Sequence, residues 1–287
     1  MYEHILAGTD GSQEALSGVR YAHSIAAHAG SNLEVLHVVD EQLLPDDDGE
    51  TDEHKLLEEL EQHGTGDLIE AAQQEAILSQ IDTTTERGVP YRTFIDYAET
   101  SQTDLVVVGK GGSAHRRLGS TTERIMTLSS VPVLTVPNDI ALAGDSLTES
   151  LDTIVVPLDG SNPAERAATQ ALRWAESLDA TVHWLYVVDT TLYEFGDIPR
   201  SVIGNLRKGG EKTLDEFVAQ ANEEDINTTK TLLRGKPSEE IRSYVDGVDA
   251  DLLAMGTRGQ GGLPEQLLGS TTRRTVRESS VPVLSVS

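Results

Sequence analysis

The chain lacks cysteine entirely across its 287 residues. Disulfides, thiolate nucleophiles and Cys-bound zinc are excluded together. It lacks any run of about 18 apolar residues, so no membrane-spanning helix is expected. No basic stretch precedes the first apolar run after Met1-Tyr-Glu-His4, so no signal peptide is read and a cytoplasmic location is expected. It is poor in cations: 22 Lys and Arg stand against 48 Asp and Glu, a net charge of −26. Such a field repels nucleic acid and anionic lipid surfaces. Basic clusters are no longer than short pairs such as Arg116-Arg117 and Arg273-Arg274, so neither nucleic acid nor membrane is expected as a partner. Only 6 of the 22 cations are Lys. Many acids with little Lys point to a halophile, because at ~1 M salt the Debye length falls to about 3 Å and the self-repulsion is screened. An ordinary acidic cytosolic protein is the plain alternative.

The familiar catalytic signatures are missing too. No G-x4-G-K-[ST] loop occurs; Lys110 and Lys236 each follow a glycine without the rest of that pattern. There is no G-x-S-x-G elbow and no H-E-x-x-H helix. The eight His are scattered, and His23 and His28 lie five apart, off a common helical face. No catalytic residue and no metal site is therefore assigned. A hydrophobic content of 38% is nonetheless too high for a disordered chain, and the length fits two domains.

What is present is a duplication. Ile5-Leu-Ala-Gly-Thr-Asp-Gly-Ser12 recurs as Ile154-Val-Val-Pro-Leu-Asp-Gly-Ser161, and His37-Val-Val-Asp40 as Tyr186-Val-Val-Asp189. Arg87-Gly-Val-Pro90 recurs as Arg234-Gly-Lys-Pro237, and Asp104-Leu-Val-Val-Val-Gly109 as Asp251-Leu-Leu-Ala-Met-Gly256. Leu118-Gly-Ser-Thr-Thr122 recurs as Leu268-Gly-Ser-Thr-Thr272, and Ser129-Ser-Val-Pro-Val-Leu134 as Ser279-Ser-Val-Pro-Val-Leu284. The offsets are 149, 149, 147, 147, 150 and 150. Near-constant spacing over the whole length means two copies. The expected boundaries are 1–140 for the first domain, 141–150 for a small polar linker and 151–287 for the second domain.

Within each copy, short runs apolar on both faces alternate with helical patterns. Residues 5–9, 33–39, 105–109 and 133–136, with 154–158, 182–188, 252–256 and 283–286, read as buried parallel strands. Asn162-Pro163-Ala164-Glu165 reads as a helix start with Asn162 as the cap, and residues 237–248 as a helix. The β-α-β-α-β alternation predicts an α/β fold of two tandem doubly wound domains, with any ligand at the carboxyl ends of the strands. Residues 40–61 break the symmetry with 11 acids and a single Lys, and read as a solvated surface.

The second copy carries the sharpest chemical signal. Gly256-Thr-Arg-Gly259 is followed, nine residues later, by Gly269-Ser270-Thr271. Glycines after a strand let backbone N–H groups approach a phosphate. A helix starting at Gly269 would add unpaired donors and partial positive charge. The alternative is a long turn whose Ser or Thr merely caps the last helix. By itself, Asp159 reads as a capping carboxylate for the next helix, and Arg258 as a solvated loop cation.

The pattern G-x2-G-x9-G-[S/T], after a strand ending Met-Gly and before Val-Pro-Val-Leu, resembles the universal stress protein family. Asp-Gly-Ser after the first strand, Val-Val-Asp after the second and Gly-x-Pro before the third helix match as well, in both copies. The resemblance implies a five-stranded parallel sheet per copy, in the order 3-2-1-4-5, flanked by helices. It also implies an ATP site in the second copy. There Asp159 would lie near the adenosine end and Val187 would offer backbone groups to adenine. Gly256, Gly259, Gly269, Ser270 and Thr271 would surround ribose and phosphates, with Arg258 at the phosphate charge. In the first copy only six residues separate Gly112 from Gly119-Ser120, a loop shorter by three. Asp10 and Val38 are retained beside Gly109, so an adenosine pocket could survive there without full phosphate contacts, and from the shorter loop ATP is expected to bind weakly or not at all.

The expected function is a stress-response protein that holds ATP, with or without Mg²⁺ or Mn²⁺, as a regulatory ligand with little or no catalysis. Two alternatives are kept: an interaction module that binds no nucleotide, and a slow ATP hydrolase or adenylate-handling enzyme. Pairing inside one chain through Val133–Val136 and Val283–Val286 is expected from the family's habit of joining through the last strand, and a homodimer is a further possibility.

Overall fold

A computed structural model gives the fold; it describes residues 2–41, 81–111, 118–138, 140, 147, 151–191, 200–260 and 267–287. The acidic stretch 42–61, Gly112 and nearly all of the linker lie outside the described residues. The chain divides into two compact units, Tyr2–Ala141 and Leu142–Ser287.

The first unit runs β1 (His4–Thr9), α1 (Gln13–Ala29), β2 (Asn32–Asp40), β3 (Asp82–Gly88), α2 (Pro90–Thr100), β4 (Leu105–Gly109), α3 (Ser120–Leu128) and β5 (Val133–Val136). All described pairings are parallel and give the order β3-β2-β1-β4-β5. β4 is buried at all five positions because helices cover both faces of the sheet. α1 starts where Ser12 accepts a hydrogen bond from the Ala15 amide at 3.2 Å, and ends at Gly30 with φ 69°. It packs Leu16, Val19, Ala22 and Ile25 inward. Burial of each Leu, Val or Ile side chain of this kind contributes about 1.5–3 kcal/mol.

The second unit repeats the plan: β6 (Thr153–Leu158), α4 (Asn162–Leu178), β7 (Thr181–Asp189), α5 (Arg200–Glu223), β8 (Thr228–Gly235), α6 (Pro237–Gly247), β9 (Leu252–Gly256), α7 (Ser270–Glu278) and β10 (Val283–Val286). Its order is β8-β7-β6-β9-β10, again parallel. Trp184 is fully buried on β7, its ring 5.3 Å from that of Phe217 on α5. The cap of α4 is Ser161, one residue before the expected Asn162: its hydroxyl accepts from the Ala164 amide at 3.4 Å, and Pro163 sits in the first turn.

The duplication extends to single hydrogen bonds. The Asp104 carboxylate accepts from the Glu3 and His4 amides at 2.9 and 3.0 Å; Asp251 accepts from Asp152 and Thr153, both at 2.9 Å. Tyr97 and Thr84 donate to Glu34 in the first unit. In the second, the Tyr244 hydroxyl lies 3.2 Å from His183 Nδ1 and 3.0 Å from Thr231. β3 and β8 are the strands the sequence pattern did not mark. They are edge strands: β3 is exposed at five of seven positions and β8 at three of eight with the rest half-buried, and neither holds more than two adjacent apolar residues.

Candidate functional site

In each unit the second strand outruns the first. Thr9 pairs with His37 and Leu158 with Tyr186, while β2 continues to Asp40 and β7 to Asp189. This leaves a crevice at the carboxyl ends of the strands, where the chain direction across the sheet reverses.

In the second unit that crevice is a cavity of about 430 Å³. Its floor begins at the turn after β6. Gly160 has φ 79°, a left-handed value, and the Asp159 Oδ1 accepts from the Ser161 amide at 3.0 Å. Asp159 therefore shapes the turn, while Ser161 does the capping. The Ser161 hydroxyl also donates to the Arg258 carbonyl at 3.2 Å, tying this turn to the loop after β9. A Cβ at Gly256 would come within 2.8 Å of the Pro163 carbonyl carbon and the Ala164 nitrogen. Glycine is what lets β9 end against the first turn of α4. A Cβ at Gly259 would lie 2.5 Å from Asp159 Oδ2, so that glycine leaves the free oxygen of the carboxylate uncovered.

The loop closes where the Gly269 amide donates to the Thr257 carbonyl at 2.9 Å, and Thr272 Oγ1 donates to the Gly256 carbonyl at 2.8 Å. Gly269 is the cap of α7 and has no side chain to accept from the amides that follow. Ser270 and Thr271 are inside the helix and do not cap it. The first-turn donors at the positive end of the helix dipole thus receive no side-chain cap. Asp159, Val187, Gly256, Arg258, Gly259, Gly269, Ser270 and Thr271 all line this one cavity.

Sequence reasoning missed four other contributors. Leu206 of α5 and Ile241 of α6 close the apolar side, and Gln260 lies over Gly160. The Tyr186 ring packs on Gly210, and its hydroxyl is held protonated to higher pH, first by burial and then by the Asp159 charge. Tyr186 was legible as the counterpart of His37 in the repeated Val-Val-Asp segment; the helix residues had no such signal.

The first unit has a matching cavity of about 390 Å³. Asp10, Val38 and Gly109 line it; Gly119 and Ser120 are not on its wall, where Gly111, Thr121 and Thr122 stand instead. The entrance turn is reproduced, with Gly11 at φ 77° and Asp10 Oδ1 accepting from the Ser12 amide at 3.0 Å. So is the base of the loop: the Gly119 amide donates to the Lys110 carbonyl at 3.1 Å, and Thr122 Oγ1 to the Gly109 carbonyl at 3.1 Å. The cap glycines have nearly the same backbone angles, φ −62° ψ 144° at Gly119 and φ −58° ψ 141° at Gly269. The three-residue deletion therefore falls wholly between these anchors. The chemistry of the wall changes more: Glu14 stands where the second unit has Pro163, and His37 where it has Tyr186.

Among the described residues, no group of three or more His, Asp or Glu is placed to hold a metal ion, and no helix is long and apolar enough to cross a membrane.

The family model described as the universal stress protein family matches the chain twice, over residues 1–137 and 150–287. A universal stress protein of Methanocaldococcus jannaschii is 33% identical over 154 residues, 52% of this chain and 88% of that protein. One of Mycolicibacterium smegmatis is 27% identical over 298 residues, covering 98% of this chain and 96% of its own. The crystal structure of a universal stress protein from Archaeoglobus fulgidus superposes with a TM-score of 0.74 at 24% identity, over 99% of this chain and 96% of that one, a likeness of fold.

Proposed function

We propose that this chain, which belongs to the universal stress protein family, holds ATP in the cavity of its Leu142–Ser287 unit as a regulatory ligand, with little or no hydrolysis. The observation that carries the reading is the convergence of an uncapped helix start, three close-packed glycines and one free carboxylate oxygen on a single cavity. Phosphates belong at the start of α7, beside Arg258, and the nucleoside belongs between Asp159 and the apolar wall of Val187, Leu206 and Ile241.

Micromolar affinity needs about −8 kcal/mol. The helix terminus contributes up to ~2 kcal/mol; burial of the base and hydrogen bonds to backbone and Asp159 must supply the rest. A divalent ion would travel with the phosphates, since the described residues offer no cluster of their own. Among the described residues no His or Lys lines the cavity, and its carboxylates Asp159 and Asp189 each accept from an amide of their own turn, which favours a ligand role over turnover. The Tyr2–Ala141 unit takes ATP weakly or not at all. The acid-rich, Lys-poor surface fits a cytoplasmic protein in concentrated salt that avoids nucleic acid.

Calorimetric titration of the full chain with ATP and magnesium is the test. One equivalent is expected, with no stoichiometric phosphate release over hours. Absence of binding overturns the site; steady turnover overturns the regulatory role.

A further inference from the structure

We infer that residues 200–209, the first part of α5, form a helical lid on the Leu142–Ser287 unit, pivoting at Gly209-Gly210 and held shut by the ligand beneath it. That this ligand is ATP rests on the proposed function of the cavity; the hinge does not.

The helix falls into two parts. From Gly210 onward it is anchored: Leu214 and Ala221 are buried, and the Phe217 ring lies 5.3 Å from that of Trp184. Packing demands Gly210 itself, since a Cβ there would come within 2.5 Å of Tyr186 Cδ1. Before Gly210 the support ends. None of residues 202–209 is buried, and 205–209 are all exposed. A helical stretch this short is marginal in water without a packed face. Its first turn has no acid to suit the helix dipole.

Two further glycines weaken it. A Cβ at Gly204 or Gly209 would meet nothing within 4 Å. No close approach calls for glycine at either position, and each costs the helix about fivefold in stability relative to Ala. One of them adjoins the anchored Gly210, so the stretch opens as a unit from that point. The Arg207–Glu211 ion pair spans the pivot at 2.9 Å, but both side chains are well exposed and the pair holds weakly.

The stretch covers the cavity. Leu206 lines it yet stays 38% exposed, and Val202 and Ile203, one turn earlier, are only half-buried. A ligand against Leu206 takes that surface out of water and so favours the helical form. Entry and release then require the stretch to open.

Arg207 and Lys208 make the opening measurable, because trypsin cuts there only when the stretch leaves the helix. The full chain is digested with and without ATP and magnesium, and fragments ending at Arg207 or Lys208 are timed by mass spectrometry. Cleavage tracks the open population when opening is faster than cutting. Gly204→Ala combined with Gly209→Ala is expected to slow it about 25-fold without ATP. ATP at about ten times its Kd is expected to slow it ~10-fold in the parent. Absence of cutting at both bonds, or equal rates in parent and double variant, overturns the hinge and leaves ATP binding untouched. ATP that binds by calorimetry without slowing the cut overturns the lid. ATP that neither binds nor protects overturns the ATP reading instead, and the effect of the two substitutions still decides the hinge.

Discussion

Replacing Gly259 by Ala separates a ligand cradle from a structural turn. The added Cβ would lie 2.5 Å from Asp159 Oδ2. Ordinary contact needs about 3.5 Å, so the carboxylate must withdraw by ~1 Å. Its other oxygen is anchored on the Ser161 amide, so the group rotates and its free oxygen leaves the cavity. Loss of one hydrogen bond to a charged group costs about 1.5–3 kcal/mol, or roughly 10- to 150-fold in affinity. The fold itself should barely change, within about 0.5 kcal/mol, because among the described residues the only neighbour is a side chain that can move. Gly256→Ala is the control. There the nearest atoms, all at 2.8 Å, are the Ala164 nitrogen and the carbonyl carbon and ring Cβ of Pro163 in the α4 first turn, which cannot swing away. Overpacking of that kind costs about 1–3 kcal/mol and lowers Tm by several degrees. Calorimetric titration with ATP and scanning calorimetry measure both variants. If Gly259→Ala binds ATP like the parent, or melts as early as Gly256→Ala, the cradle does not exist as described.

Three further outcomes are expected. Asp159→Asn removes the charge that helps hold Tyr186 protonated, so Tyr186 should ionise at lower pH in an ultraviolet titration, still above its ordinary value because burial persists; an unmoved midpoint would separate the two groups. His183 is pushed down by burial, so the fold prefers its neutral form. Its contribution is fully present above the unfolded value of about 6.5 and is lost as pH falls through the lower folded value. His183→Gln should flatten the decline of the urea midpoint on that acid side; parallel curves for the two proteins would refute this. Raising salt from ~0.1 M to ~1 M shortens the Debye length from about 10 to about 3 Å, so a chain of net charge −26 should melt later; a falling Tm would contradict the reading of its composition.

The fold was legible because its inner strands are covered on both faces and therefore carry unbroken apolar runs, as at Leu105–Gly109 and Leu252–Gly256, and because every run appears twice. The edge strands escaped for the opposite reason. Asp82–Gly88 faces outward along most of its length, and its Asp-Thr-Thr-Thr-Glu-Arg-Gly has no apolar period to detect. At the site, the glycines announced themselves through spacing, since close backbone approach demands them at particular positions. Leu206 and Ile241 did not, because a wall formed by helices distant in sequence leaves no local pattern. Loop length is the most visible difference between the copies. The wall residues Glu14 and His37 differ just as clearly in chemistry, and both could have been read by aligning the two repeats position by position.

Both glycine loops hang from one stem, an amide of the cap glycine donating to the carbonyl just past the strand. Eight residues (111–118) span it in one half and eleven (258–268) in the other. By loop-closure entropy alone the difference costs only about 0.3 kcal/mol. Insertions and deletions above that clasp are thus nearly neutral for folding, and the segment behaves as an exchangeable cassette. After an ancestral gene doubled, one half could drift toward a new appetite while its sibling kept the old one.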